Sequence, residues 1–190
     1  MRLLLMGPPG SGKGTQAQRL AERYRIPAIS TGDIFRANLE RNTDLGRLAE
    51  SYMAQGQYVP DEVTNDMVRQ RLSEPDTGNG FVLDGYPRTK GQVAALDGML
   101  AERGVALDAV LKLTADTDEL VARLLQRAQE QGRRDDTEET IRRRQEVYAE
   151  ETAPLAEVYR DRGLLVRVDG LGEVQEVTSR IEAALDGRAG

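Results

Sequence analysis

No cysteine, histidine or tryptophan occurs in this 190-residue chain, and phenylalanine appears only twice. The missing imidazole and thiol exclude a Ser/His triad, a thiol nucleophile, any disulfide and the usual zinc site. A metal here has to be a hard cation held by oxygen. Lysine is nearly as scarce: of 26 basic residues only Lys13, Lys90 and Lys112 are lysines, and the rest are arginine. Against 32 acids the formal net charge is −6, with a pI near 4.9. That balance argues against a general nucleic-acid or anionic-membrane binder. What survives is chemistry that arginines, carboxylates and backbone can perform alone. Long apolar runs are also missing. Leu3-Leu4-Leu5-Met6 ends at Gly7-Pro8-Pro9-Gly10, too short for a secretory core, and a mean hydropathy of −0.54 fits a soluble protein. The expected location is the cytoplasm.

No internal repeat or low-complexity linker divides the chain, so a single domain over 1–190 is expected. Short apolar runs alternate with longer amphipathic ones. Arg2–Met6, Pro27–Ser30, Phe81–Asp84, Ala109–Leu113 and Leu164–Val168 read as strands. Lys13–Arg25, Thr117–Gln129 and Glu173–Leu185 carry helical periodicity. This alternation predicts βαβ units: an α/β protein of three layers, α/β/α, around a five-stranded parallel sheet. Two segments break the rhythm. Thr31–Pro60 is polar and helical, as an inserted subdomain would be. Gln129–Asp136 has almost no apolar residue and reads either as a solvated loop or as a flap over a site. Helix resumes near Thr137, with Asp136-x-x-Glu139 and Thr137-x-x-Thr140 as alternative caps, and Pro154 kinks or restarts it. Asp186–Gly190 is expected to fray.

Gly7-Pro8-Pro9-Gly10-Ser11-Gly12-Lys13-Gly14-Thr15 follows a strand and opens a helix. Glycines let the backbone curl so that successive N–H groups face one anion, and the helix N-terminus adds its positive end. Lys13 would reach the β- and γ-phosphates of a nucleotide, and a nearby hydroxyl would meet Mg²⁺. The strict phosphate-loop pattern has Ser or Thr directly after the lysine; here Gly14 stands there and Thr15 follows, a variant loop. A glycine-rich structural turn is the plain alternative. A dinucleotide loop fits worse, because the glycine spacing differs and the lysine would have no role.

Asp84 ends the apolar strand of Phe81-Val82-Leu83-Asp84-Gly85-Tyr86-Pro87-Arg88. Ligands bind at that edge of an open parallel sheet, and an Asp there can orient the water shell of a phosphate-bridging Mg²⁺. The alternative is a strand-ending Asp-Gly turn. Arginine suits phosphate through its planar, permanently charged fork. Most of the arginines nevertheless sit among acids on helical faces, as Arg19, Arg23, Arg41 and Arg47 do.

These residues resemble the adenylate kinases of short-lid bacterial type. The likeness is carried by Gly7 to Gln16, including the Gly-Thr after the lysine, by Ser30-Thr31-Gly32-Asp33, and by Phe81 to Gln92. Arg133-Arg134-Asp135-Asp136, Thr140–Arg144 and Thr152-Ala153-Pro154-Leu155 extend it over nearly the whole chain. The resemblance implies a helical AMP-binding insertion at 30–59 and a short lid at 126–137. It implies Mg²⁺-dependent, reversible transfer from ATP to AMP, giving two ADP, by a monomer with no nucleic-acid or membrane partner. ATP would be held by Gly10, Ser11, Gly12, Lys13, Gly14 and Thr15, with Arg123, Arg127 and the backbone near Gly172. AMP would be held by Thr31, Arg36, Gln57, Tyr58, Val59, Gly85, Tyr86, Pro87, Arg88 and Gln92. Arg88 would grip the AMP phosphate and Gln92 would read the adenine edge. Arg133 and Arg144 would close over the reacting phosphates; counting back two from Asp135 selects Arg133 over Arg134. Lys13, Arg88, Arg123, Arg133 and Arg144 would form the catalytic set. Asp84 would hold Mg²⁺ through water, with Thr15 as a second metal-side group. No cysteine set for a zinc-bearing long lid exists in the sequence.

A phosphate oxygen of AMP is ionised at neutral pH and needs no general base, so the missing histidine is no obstacle. Catalysis would rest on in-line alignment and charge neutralisation. Insertion and lid are both expected to close on substrate. A UMP/CMP or other nucleoside-monophosphate kinase is the competing reading, and a non-catalytic nucleotide sensor the more distant one. A switch GTPase would need an Asn-Lys-x-Asp run, and none is present.

Overall fold

Leu3 and Leu4 in β1 (Arg2–Met6) are both fully buried although they point to opposite faces. Only the interior of a sheet covered on both sides allows that. The computed structural model describes residues 1–115, 117–131 and 137–187. In it β1 is the centre of a five-stranded sheet in the order β2-β3-β1-β4-β5, with β2 at Ala28–Ser30, β3 at Phe81–Asp84, β4 at Ala109–Thr114 and β5 at Leu165–Asp169. Every pairing is parallel. Leu3 stands opposite Val82 on one side and Ala109 on the other.

Alternation along the strands divides the core in two. Leu3, Leu5, Val82, Leu111 and Leu113 face α1 (Lys13–Tyr24) and α9 (Val174–Asp186), meeting Ala17, Leu20, Val177 and Ile181. Leu4, Met6, Phe81, Leu83 and Val110 face the other layer. That layer holds α4 (Asp61–Leu72), α5 (Lys90–Glu102) and α8 (Leu155–Asp161), through Val68, Leu72, Leu96, Leu100, Leu155 and Tyr159. Three layers with two apolar interfaces follow from a period of two in the strands and of 3.6 in the helices.

The polar segment after β2 forms α2 (Thr31–Glu40) and α3 (Asp44–Met53), each opened by a hydroxyl cap. Ser30 Oγ accepts from Asp33 N–H, and Thr43 Oγ1 accepts from Gly46 N–H. α6 (Thr117–Gln131) and α7 (Glu138–Val147) follow β4 in the chain. Of the two alternative caps for α7, Thr137 takes the role, its Oγ1 accepting from Thr140 N–H at 3.2 Å; Asp136 lies outside the described residues. A π-helical turn, Tyr148–Thr152, continues α7, and Pro154, which has no N–H to donate, restarts the chain as α8.

Candidate active site

All five strands run the same way, so the loops after them meet at one edge, and a cleft of about 590 Å³ opens there. Its floor is the loop between β1 and α1. Gly12 caps α1 with φ +85°, a conformation suited to glycine, and among the described residues no side chain satisfies the first-turn N–H groups. Those donors and the positive helix end are open to an anion.

Lys13 arches back over the loop, its Nζ donating to Gly7 O at 2.8 Å and Pro8 O at 2.9 Å. Burial lowers its pKa from 10.5 to about 8; the Asp84 carboxylate opposes this, while the Arg88 and Arg127 guanidiniums lower it further. Burial pushes the Asp84 carboxyl upward, against the pull of Lys13 and Arg88. Four charged side chains from β1–α1, β3, the turn after it and α6 thus share one electrostatic field. Gly14 lies beside the acid: a Cβ there would sit 3.6 Å from Asp84 Oδ2.

The second half of the cleft is built on the turn after β3. Thr31 Oγ1 donates to Gly85 O at 3.0 Å, and Arg88 Nε donates to the same carbonyl at 2.7 Å. Gly85 has φ +78°, and a Cβ would stand 2.8 Å from Arg88 Nη2 and 2.9 Å from Thr31 Oγ1, so glycine is required twice over. The Arg88 guanidinium lies over the Tyr58 ring, 5.0 Å from its centroid. Thr152 Oγ1 donates to Arg88 O at 2.8 Å; having spent its proton, it accepts from Tyr58 OH, also at 2.8 Å. Arg36 is ion-paired with Asp33.

α7 bridges the two halves. Gln145 Nε2 donates to Pro9 O of the phosphate loop at 3.0 Å. Thr140 Oγ1 donates to Ala54 O and Arg144 Nη2 to Met53 O, both at 3.3 Å, at the C-terminal end of α3. Gly56 permits this contact, since a Cβ there would be 3.0 Å from Thr140 O and from Arg143 Cβ.

Of the residues expected from sequence, Gly10, Gly12, Lys13, Gly14, Thr15, Arg123, Arg127 and Asp84 line this one cleft. So do Thr31, Arg36, Gln57, Tyr58, Val59, Gly85, Pro87, Arg88, Gln92 and Arg144. Ser11, within the loop, is buried, and among the described residues its Oγ has no hydrogen-bond partner. Tyr86 is buried in the core, its hydroxyl donating to Asn65 Oδ1 at 2.7 Å, so its side chain steadies the turn from below. Gly172 turns the chain between β5 and α9 with φ +101° and is not among the lining residues. Arg133 and the neighbouring Arg134 lie outside the described residues.

Three contributors were given no role by the sequence, although Thr152 lies in the Thr152–Leu155 run that carries the resemblance. Thr152 and Tyr148 line the cleft from the π-helical turn, and burial pushes the Tyr148 hydroxyl up to about 12. Asp61 holds Gln92 from behind. A π-turn is invisible to a periodicity argument, and Asp61 at the start of a helix reads as an ordinary first-turn acid.

The arrangement suits two polyanions set end to end. One would lie on the helix end with Lys13, and the other against Arg88, with Arg123, Arg127 and Arg144 around the junction and one carboxylate at the wall. A family model described as adenylate kinase matches residues 5–164. The adenylate kinase of Nocardioides sp. is 64% identical over 186 residues, covering 98% of this chain and 97% of that protein. That of Kocuria rhizophila is 63% identical over 185 residues, covering 97% and 98%. That of Thermobifida fusca is 55% identical over 189 residues, covering 100% of each chain to the nearest per cent.

Proposed function

The chain belongs to the adenylate kinase family, enzymes that transfer a phosphoryl group between ATP and AMP, and from that premise we propose how this cleft performs the transfer. The observation that carries the reading is the meeting of Lys13, Asp84, Arg88 and Arg127 in one electrostatic field at the phosphate loop. ATP lies with its phosphates on the Gly10–Thr15 backbone and its γ-phosphoryl against Lys13, flanked by Arg123 and Arg127. AMP lies between Thr31, Arg36 and the Gln57–Val59 backbone, with its phosphate on Arg88 and its base on Gln92. An AMP phosphate oxygen attacks the γ-phosphorus, the bond to the β,γ-bridging oxygen breaks, and two ADP leave. The cations offset the repulsion of the two anions and the charge that spreads in the transition state, and Arg133 and Arg144 complete them from the lid side.

Asp84 and Thr15 suit Mg²⁺. Mg²⁺ on a nucleotide keeps most of its waters and uses one or two protein oxygens with phosphate, so no larger acidic cluster is required. Among the described residues there is none. When bound, the ion neutralises β- and γ-phosphate charge. The insertion at 30–59 and the lid at 126–137 close over the substrates and keep water from the γ-phosphoryl. No described helix is long and apolar enough to cross a membrane, and the protein works as a cytoplasmic monomer.

A coupled assay across AMP, CMP, UMP and GMP, run beside Lys13→Met, tests the reading. AMP is the preferred acceptor, and Lys13→Met lowers turnover by at least about 10³-fold with its thermal midpoint retained. Preference for CMP or UMP would move the protein to the pyrimidine enzymes, and retained turnover in Lys13→Met would remove the loop from the chemistry.

A further inference from the structure

Gln92 is 1% exposed, yet it lines the cleft, and both ends of its amide are already engaged. Its Oε1 accepts from Arg88 N–H at 2.7 Å, and its Nε2 donates to Asp61 Oδ1 at 2.8 Å. A backbone N–H can only donate and a carboxylate can only accept, so these two partners admit one orientation of the amide. The other carboxylate oxygen, Asp61 Oδ2, accepts from Thr89 Oγ1 at 2.6 Å. That commits the Thr89 proton and leaves Oγ1 to cap α5 by accepting from Gln92 N–H at 3.1 Å. Asp61 is thus tied to both the side chain and the backbone of Gln92. Gly91 supports the same contact independently. It is helical with an ordinary φ, so no backbone demand calls for glycine, but a Cβ there would lie 2.7 Å from Asp61 Oδ2.

We propose that Asp61 is a positioning residue for base selection: by fixing which way round the Gln92 amide stands, it admits adenine and rejects 6-oxopurines at the monophosphate site. The inference rests on the reading that Gln92 meets the base of the acceptor nucleotide. With one lone pair and one N–H committed to protein, Gln92 has one lone pair and one N–H left. Adenine offers a matching amino donor at position 6 and a ring acceptor at position 1. Hypoxanthine and guanine offer the reverse, a carbonyl at 6 and an N–H at 1. To accept them the amide must turn over, setting Oε1 against the Asp61 carboxylate and Nε2 against Arg88 N–H. Both contacts are then like against like, and a buried polar mismatch of this kind is where polar specificity comes from.

The test compares kcat/KM for AMP and IMP, with ATP as donor, in the parent enzyme and in Asp61→Asn, Gly91→Ala and Gln92→Ala. Asn keeps the Thr89 bond through Oδ1 and turns its own amino group toward Gln92, inviting the reversed amide. The AMP-over-IMP ratio in Asp61→Asn falls about tenfold, with KM for ATP and the thermal midpoint unchanged. Gly91→Ala, which displaces the carboxylate without altering its charge, lowers the ratio about threefold and carries the test should Asp61→Asn not fold. A merely structural role would lower turnover of both monophosphates together and leave the ratio alone. If Gln92→Ala collapses the ratio while Asp61→Asn and Gly91→Ala preserve it, the proposal is overturned and the base-reading role of Gln92 stands. If Gln92→Ala itself preserves the ratio, that role falls and the proposal with it.

Discussion

At pH 8 about half of the Lys13 side chains are neutral before any nucleotide arrives, because burial holds the amine at a pKa of about 8. A triphosphate set against Nζ returns the pKa to its ordinary range or above it. Binding therefore takes up a proton: about a tenth at pH 7, about half at pH 8 and close to one at pH 9. The dissociation constant for a non-hydrolysable ATP analogue rises about tenfold between pH 7 and pH 9 for the same reason. Titration calorimetry in two buffers of widely different ionisation enthalpy reads the uptake directly, as the difference in apparent enthalpy at each pH. Lys13→Met should erase that difference. For the free enzyme, the folded chain has lost the Lys13 proton between pH 8 and pH 10.5 while the unfolded chain keeps it. Stability from this one group consequently rises across that window, by up to about 3 kcal/mol, as the strain of a buried ammonium is relieved. Equal apparent enthalpies in both buffers at pH 8.5 would refute the reasoning, since no proton would then accompany the phosphate.

Arg88→Ala should raise the Michaelis constant for AMP about 10²-fold and lower turnover with the ATP constant little changed; a change confined to ATP would move Arg88 to the other site. Thr152→Val keeps the shape but leaves Arg88 O and Tyr58 OH without their shared partner, which should cost about 1–3 kcal/mol in denaturant unfolding and raise the AMP constant. Leu96→Ala, at a fully buried position in α5, should destabilise by about 2–5 kcal/mol with substrate constants near those of the parent.

The parallel sheet was legible because its strands are short, apolar and separated by amphipathic stretches. The boundaries moved by a residue at β2, β4 and β5: Thr114 joins the ladder opposite Asp169, while Pro27 and Leu164 contribute only a carbonyl at its end, accepting from Val82 N–H and Val110 N–H. α4 and α5 did not stand out. Each supports the sheet through a few residues such as Val68 and Leu96, and the apolar residues of α5 are not confined to one stripe. The phosphate loop and the Asp84–Arg88 turn were legible because glycine, lysine and acid are each required there by backbone geometry or charge. The Thr152–Tyr58–Arg88 chain was not, because it joins residues 64 and 94 positions apart through a π-turn that no residue pattern announces. Asp61 was hidden for a similar reason: its partners, Thr89 and Gln92, stand 28 and 31 positions away.

The central position of β1 also has a consequence for how the enzyme is made. β1 is synthesised before either of the strands that flank it, and the nearer in sequence, β3, begins at Phe81. At about 5–20 residues per second, Leu3-Leu4-Leu5-Met6 waits roughly 4–16 s for a partner. No fragment ending before β4, which begins at Ala109, can bury it between two strands. Phosphate loop, acceptor turn and sheet core therefore come into being together, only once more than half of the chain has been made, and chains truncated inside α2 or α3 should aggregate rather than bind nucleotide.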